Sequence, residues 1–401
     1  MTRIALVTPM LPVPHDQTRG RYIHETARAL SKLATVKVFF QQSRYPKLPL
    51  VAPRSFLDGQ VGPDYRIDGI DVETFTYPVF PLISRAINGH VSSHLLTPRV
   101  AAFKPDVVLA YWVYPDGYAA LRTARKLGVP CIVGALGSDI HVRSGINDRM
   151  TRKTIAGVDA LLTVSEAMRQ TAIREFGAPA DHVHTIVNGF NTSVFHPREQ
   201  QAIRQRLGIP LDEQMIIYVG RFVEAKGMRE LIQAFQAMAR TNSKVSLALI
   251  GDGVMKAELV GLIEQAGLQK RVRIPGGQPP EQVAEWISAA DVLTLPSWSE
   301  GYPNVVVEGL ACGRPVVATD VGGTREILHE RNGILIPPRQ ADVLQKALEQ
   351  ALSASWDREA IVNTAGSCPL DRLWYQTSTL APRRNAQNGT GTQRIGSTSR
   401  Q

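Results

Sequence analysis

Short apolar runs alternate with helix-spaced patterns along most of this chain. In the first half the runs are Ile4–Val7, Val36–Phe40, Val107–Tyr111, Cys131–Ala135 and Leu161–Val164, with helical spacing over Tyr22–Leu33 and Ala119–Leu127 between them. Continuous apolar runs predict strands buried on both faces, and the alternation predicts a parallel sheet covered by helices. The second half restarts the pattern with Met215–Val219, Ser246–Ile250, Val272–Ile274, Val292–Leu295 and Pro315–Ala318. Its helical stretches are Gly227–Arg240, Met255–Ala266 and Glu281–Ala289. The turn-rich Asn188-Gly189-Phe190-Asn191 and His196-Pro197 mark a connector. The expected fold is α/β, with two Rossmann-like domains, 1–192 and 193–364, facing a central cleft at the C-terminal ends of their strands. From about Ala365 periodicity is lost, and residues 385–401 are almost all Asn, Gln, Gly, Thr, Ser and Arg. Such a composition buries too little apolar area to fold, so 365–401 is expected to be a disordered tail.

A length of 401 residues fits two cores better than one, and 44% hydrophobic content is ordinary for a globular protein. No run approaches the roughly 20 apolar residues of a membrane-spanning helix. Ile4–Val7 is cut short by Pro9, Pro12 and Pro14 and reads as a first strand, not as the core of a signal peptide. Cys131, Cys312 and Cys368 have neither zinc-ligand nor redox spacing and suit a reducing cytoplasm. The net charge of +9 is uneven: residues 1–197 hold 22 Lys and Arg against 15 Asp and Glu, and residues 372–401 hold 5 against 0. That surplus is either a solvated basic surface or an attraction to an anionic membrane or phosphate-bearing acceptor. No basic helix or aromatic-basic module points to nucleic acid.

Candidate chemistry lies in the second half. Gly220-Arg221-Phe222-Val223-Glu224-Ala225-Lys226-Gly227 joins a buried run to a helix. Arg221 and Lys226 can converge on one diphosphate, the first as a planar fork and the second as a point charge, or they are two solvated cations. Pro296-Ser297-Trp298-Ser299-Glu300-Gly301-Tyr302-Pro303-Asn304 follows the next strand, with Pro303 expected in the first helical turn and Glu308 in the helix body. Free N–H groups from Gly301 through Tyr302 and Asn304 to Val305 would form an anion site. Glu300 would then bond sugar hydroxyls and Glu308 a ribose diol; alternatively they are a dipole-favoured residue and an exposed helical glutamate. Gly251-Asp252-Gly253 and Val321-Gly322-Gly323-Thr324-Arg325-Glu326 read as plain turns after strands.

Taken in order, the Gly-Arg-x5-Gly loop, the Gly-Asp-Gly turn, Pro-Ser…Glu-Gly-x-Pro-Asn and the Glu300-x7-Glu308 pair resemble glycosyltransferase family 4, a retaining group with the GT-B fold. Thr163-Val164-Ser165-Glu166 and Asn188-Gly189-Phe190-Asn191 fit its connector region, and the resemblance covers about residues 1–350. It implies an N-terminal acceptor domain and a C-terminal nucleotide-sugar domain. Arg221 and Lys226 would bind the donor diphosphate, Glu308 the ribose, Glu300 the donor sugar, and backbone around Arg273–Gly276 the base. Gly20 would be the close-approach glycine beside donor and acceptor. The donor would be a UDP-, GDP- or other NDP-sugar, with no metal and no further cofactor. The acceptor would be lipid-linked or a saccharide, reached at the inner face of the plasma membrane.

The chain departs from the family in places. Leu136 stands where many relatives have a His, within Ala135-Leu136-Gly137-Ser138-Asp139-Ile140-His141. Asp139 is then either a catalytic contact to donor or acceptor hydroxyls or a helix N-cap, and His141 is a structural or exposed residue. Arg19-Gly20 replaces paired glycines, as in some polysaccharide-building relatives, which points to envelope polysaccharide assembly. Ala341–Ala351 can begin a helix that crosses back to the first domain, but the sequence beyond does not continue it. Tyr77–Ala102 either touches acceptor or membrane or is an irregular helix pair on the core. An inactive nucleotide-sugar-binding subunit and a nucleotide-sugar epimerase or phosphorylase are the alternatives.

Overall fold

The computed structural model describes residues 1–14, 16, 19–45, 60–80, 84–141 and 145–365, the side chains of Ser138 and His141 excepted. The expected disordered tail beyond Ala365 and the His141 side chain lie outside these residues. The first sheet contains β1 (Arg3–Thr8), β2 (Thr35–Arg44), β3 (Asp71–Pro78), β4 (Val107–Tyr111), β5 (Cys131–Ala135), β6 (Ala160–Thr163) and β7 (Val183–Thr185). It is parallel throughout, in the order β3-β2-β1-β4-β5-β6-β7. Around it lie α1 (Arg21–Ser31), α2 (Asn88–Phe103), α3 (Tyr118–Leu127), α4 (Ser138–His141), α5 (Gly145–Ile155) and α6 (Glu166–Phe176).

The second sheet contains β8 (Gln214–Val219), β9 (Val245–Ile250), β10 (Val272–Gly276), β11 (Val292–Leu295), β12 (Val316–Thr319) and β13 (Gly333–Ile336). It too is parallel, in the order β10-β9-β8-β11-β12-β13. Its helices are α7 (Gln200–Leu207), α8 (Met228–Thr241), α9 (Lys256–Gln265), α10 (Pro280–Ala289), α11 (Asn304–Ala311), α12 (Ala341–Ser353) and α13 (Arg358–Thr364). The expected pair of Rossmann-like domains is present.

Strand β1 shows why both faces of a sheet must be covered. Ala5 and Val7 pack with Leu96 and Val100 of α2 and Ala120 and Ala124 of α3, while Ile4 and Leu6 pack with Ile23, Ala27 and Leu30 of α1. In each sheet the winding reverses beside the first strand: β1 lies between β2 and β4, and β8 between β9 and β11. Loops leaving strands on either side of such a point diverge and leave a crevice at the carboxyl ends. In the second sheet those two loops carry Arg221–Lys226 and Pro296–Glu300.

Three strands escaped the apolar-run criterion. β3 alternates in burial at the sheet edge, β7 has only three residues, and β13 is a short Gly-Ile-Leu-Ile segment. Tyr77–Ala102 is no helix pair: Tyr77 belongs to β3, and Asn88–Phe103 is a single helix. The connector is anchored, because Val194 and Phe195 are buried in the second core. Both α12 and α13 stay with the second domain, α12 on α8 and β13, and α13 on α11.

Arg204 of α7 ties that domain together from a buried position. Its guanidinium donates to the carbonyls of Ala289 (2.8 Å), Leu211 (3.2 Å) and Glu213 (2.9 Å) and to Asp291 Oδ2 (2.7 Å). Asp291 in turn accepts from the N–H of Met215, the second residue of β8. Truncation leaves three carbonyls and a carboxylate short of a donor, so Arg204→Ala should destabilise the fold by about 3 kcal/mol. Urea unfolding checks this; a midpoint equal to that of the parent protein would refute it.

Candidate active site

The loop after β8 is built around Phe222, which is fully buried. Its N–H donates to the Asp252 carbonyl (2.8 Å), and its own carbonyl accepts from Met255 N–H (3.0 Å). The Gly-Asp-Gly turn is therefore a buttress for the Arg221 loop. The Asp252 carboxylate is held below its ordinary range by its hydrogen bond to Lys256.

Gly227 has φ 65°, and a Cβ there would lie 2.0 Å from the Pro296 carbonyl oxygen. Only glycine permits this approach. Beside it, Trp298 N–H donates to the Ala225 carbonyl (2.8 Å). Across this seam Lys226 Nζ lies 2.5 Å from Glu300 Oε1, with side-chain exposures of 21% and 11%. Arg221 is on the same loop with an exposed side chain that makes no ion pair among the described residues.

Helix α11 begins at Asn304, and Pro303 is its N-cap instead of a first-turn residue. The extended backbone of Pro303 sets the entry angle, which shifts the expected start by one position. Glu300 thus lies in the loop and Glu308 in the helix, as the sequence predicted. Tyr302 packs against the cores of both domains, and Val305 against the second. Asn304 Oδ1 accepts from Asn188 Nδ2 of the connector (3.0 Å), while Asn188 Oδ1 is buried with no partner. Burial raises the Glu308 carboxyl above its ordinary value, opposed by the charge of Arg21. Arg21, from the first turn of α1, also lies over the Phe195 ring at 5.8 Å. Sequence reasoning passed over Arg21; its only signal was its place beside Gly20.

Opposite, the first domain offers the ends of β4 and β5. A Cβ on Gly301 would lie 2.5 Å from the Leu136 carbonyl oxygen, so the Glu300 loop meets the β5 loop backbone to backbone. Leu136 itself is a packing residue on both faces of the first sheet. Asp139 accepts from the N–H groups of Leu136 (3.0 Å), Gly137 (2.8 Å) and Val113 (3.2 Å). Its carboxylate pins the β5 loop to the β4 loop. Gly20, at φ 60°, makes its close approach to the backbone of Met10 and Leu11.

Chemically, Lys226 is paired with Glu300 just before α11, whose first N–H groups have no partner within the helix, while Arg221 shares the Lys226 loop and Arg21 acts on Glu308. Among the described residues no three His, Cys, Asp or Glu side chains gather to hold a metal ion, and no helix is long and apolar enough to cross a membrane. A hollow lined by Arg3, Lys37, Glu73 and Arg99 lies at the opposite ends of the strands. Glu73 there pairs with Lys37 at 2.8 Å and Arg99 at 3.4 Å, and the Arg3 guanidinium donates to the Phe103 carbonyl at 3.0 Å.

Known structures share this architecture. Anabaena HepE in complex with UDP matches 94% of the chain and 99% of its own, at 20% identity and a TM-score of 0.72. WaaG, a glycosyltransferase involved in lipopolysaccharide biosynthesis, matches 95% and 99%, at 17% identity and a TM-score of 0.67. The fold is therefore GT-B. Residues 199–366 match the model for glycosyl transferases group 1, and residues 20–194 that for Glycosyltransferase Family 4. The D-inositol 3-phosphate glycosyltransferase of Thermobispora bispora is 32% identical over 350 residues, covering 80% of this chain and 78% of its own. The putative teichuronic acid biosynthesis glycosyltransferase TuaC of Bacillus subtilis is 28% identical over 356 residues, covering 86% and 88%. The chain belongs to the group 1, family 4 glycosyltransferases.

One buried acid lies just behind the β4 loop. Asp116 is 2% exposed and accepts from Gln41 Nε2 at 2.5 Å. Burial pushes its carboxyl up to about 7, with the Gln41 bond opposing and Asp139 adding to the rise. The folded state therefore holds this proton above the unfolded value of about 4. Its stabilising contribution is full below about pH 4 and is lost as pH rises to about 7. Asp116→Asn should remove this slope, so that the variant gains stability relative to the parent as pH rises from 4 to 7. Urea midpoints across that range test it; parallel curves would refute it.

Proposed function

We propose that this protein is a retaining glycosyltransferase that moves a sugar from a nucleoside-diphosphate donor to an acceptor hydroxyl in envelope polysaccharide or glycolipid synthesis. The observation that carries the reading is the Lys226–Glu300 pair at the switch point of the second sheet, directly before the N-terminus of α11. In transfer, the bond from the anomeric carbon to the diphosphate breaks and its electron pair stays on the phosphate oxygen. The acceptor oxygen bonds to the same face, and its proton passes to that departing oxygen. Negative charge grows on the leaving group, so the site must supply positive charge there. Lys226, the Arg221 fork and the N–H groups of Gly301, Tyr302, Asn304 and Val305 supply it without a metal ion. Glu300 exchanges part of its bond to Lys226 for sugar hydroxyls, and Glu308 accepts from the ribose diol.

Lys226→Ala and Glu308→Ala should each lower turnover about 100-fold or more with the fold intact, and EDTA should leave the parent rate unchanged. A panel of UDP- and GDP-sugars, scored by donor turnover and by NMR of the product anomer, provides the assay. Near-normal turnover in either variant would refute the site assignment, and an inverted product would refute retention. Nucleotide affinity without any turnover would instead favour a binding subunit.

We further propose that the acceptor is met at an anionic membrane surface. Helices α2 and α3 carry no acidic residue, and α5 holds three cations against one acid, Asp148, which pairs with Arg152. Phe80 just after β3, Ile87 just before α2 and Ile146 in the first turn of α5 are exposed apolar side chains. Cosedimentation with phosphatidylglycerol-containing vesicles should exceed that with pure phosphatidylcholine and fall with salt. Equal binding to both would refute this.

A further inference from the structure

The first turn of α6 is only partly satisfied within its own domain. Of its free N–H groups, that of Met168 is satisfied by Ser165 Oγ (3.2 Å). Those of Glu166 and Ala167 donate instead to the two carboxylate oxygens of Glu326, at 2.9 and 2.8 Å. Glu326 belongs to the other domain, at the end of the 3-10 turn Gly322–Glu326 that follows β12. The contact is bidentate and places a negative charge at the positive end of a helix dipole.

Nearby charges do not compete for it. The Glu166 carboxylate is taken by Arg169 (3.1 Å), Gln170 (2.8 Å) and Thr185 (3.0 Å), and Arg325 bonds Asp320 (3.0 Å). The turn that carries Glu326 is rigid, with Thr324 fully buried and bonded back to the Val321 carbonyl (2.7 Å). At its other end, Gly323 N–H donates to the Gly301 carbonyl (2.9 Å), next to Glu300. A Cβ on Gly323 would lie 2.8 Å from Ser165 Cβ, so the same turn is also in van der Waals contact with the start of α6.

We propose that Glu326 is a positioning residue for transfer: by docking on the first turn of α6 it latches the two domains together and sets the Glu300 loop against the first domain. The path is short and physical, from α6 to the Glu326 carboxylate, through one rigid turn, to the Gly301 carbonyl. Both partners of the latch are solvent-exposed. Water replaces the carboxylate when the domains part, which keeps the contact weak enough to open in each turnover. This inference rests on the transferase reading for its kinetic arm only.

The test compares the full chain with Glu326→Ala and Glu326→Gln. Alanine should lower kcat roughly tenfold while leaving the donor KM and the affinity for UDP or GDP within about twofold, because the diphosphate and sugar contacts proposed above come from the second domain. Glutamine keeps one acceptor oxygen and should fall between alanine and the parent. Hydrogen exchange at the amides of Glu166 and Ala167 should speed up in Glu326→Ala, with that of Met168 less affected. A fall in kcat matched by an equal rise in KM would make Glu326 a donor-binding residue and overturn the proposal. Unchanged exchange at Glu166 and Ala167 would overturn it too. If the parent protein turns over no nucleotide sugar, the transferase reading fails, and the exchange measurement still decides whether the latch exists.

Discussion

Where the loops after β8 and β11 cross, there is room for backbone only. A Cβ on Gly227 would meet the Pro296 carbonyl oxygen at 2.0 Å, and one on Gly322 would meet that of Glu300 at 1.9 Å. These contacts bring chain segments from three neighbouring strand ends within reach of one another. Lys226 is short of Glu300 by a hydrogen-bond length only because the backbones beneath them touch. Any side chain in that seam would move the cation away from the carboxylate and from the start of α11. The geometry of the charged groups is thus a consequence of close backbone packing at the carboxyl edge of the sheet.

The same constraint explains how the site tolerates its charges. Lys226 and Glu300 are largely withdrawn from water and neutralise each other, which limits the cost of burying either. Glu308 makes no ion pair among the described residues, and the charge of Arg21 opposes the effect of its burial. On the proposed reading, a donor bearing both negative phosphates and hydroxyls satisfies this arrangement better than water does, its phosphates taking over Lys226 and its hydroxyls the two carboxylates.

Much of this was legible in the sequence because it depends on residue type at fixed offsets. Buried parallel strands are continuous apolar runs, so β1, β4, β5, β8, β9 and β11 announce themselves, and the loops that follow β8 and β11 carry their chemistry in order. Edge strands do not: β3 mixes Asp, Glu and Thr with Val and Phe because one face is wet. Relations between domains were equally hidden. Nothing in Arg19-Gly20-Arg21 says that Arg21 lies near Glu308, and nothing in Gly-Gly-Thr-Arg-Glu says that Glu326 caps a helix some 160 positions earlier. Asp139 illustrates the opposite limit. Its motif position suggested a contact to hydroxyls or a helix N-cap, yet its oxygens are taken by three backbone N–H groups upstream and across the loop. A sequence records which groups are present, not which partner reaches them first.

Several contacts that join the two domains lie on the Glu300 loop and the start of α11. Tyr302, two residues after Glu300, packs on both cores. Asn304, which opens α11, is bonded by Asn188 of the connector. Gly301 meets Leu136 and is bonded by Gly323. A loop tied at Gly301, Tyr302 and Asn304 to the connector, the β5 loop and the 3-10 turn has little freedom unless the domains separate. Ordering of the loop and closure of the domains are therefore one conformational event, and the energy of either is spent on the other. A weak, exposed carboxylate latch is sufficient in such a system, since it needs only to bias an equilibrium that packing has already made cooperative.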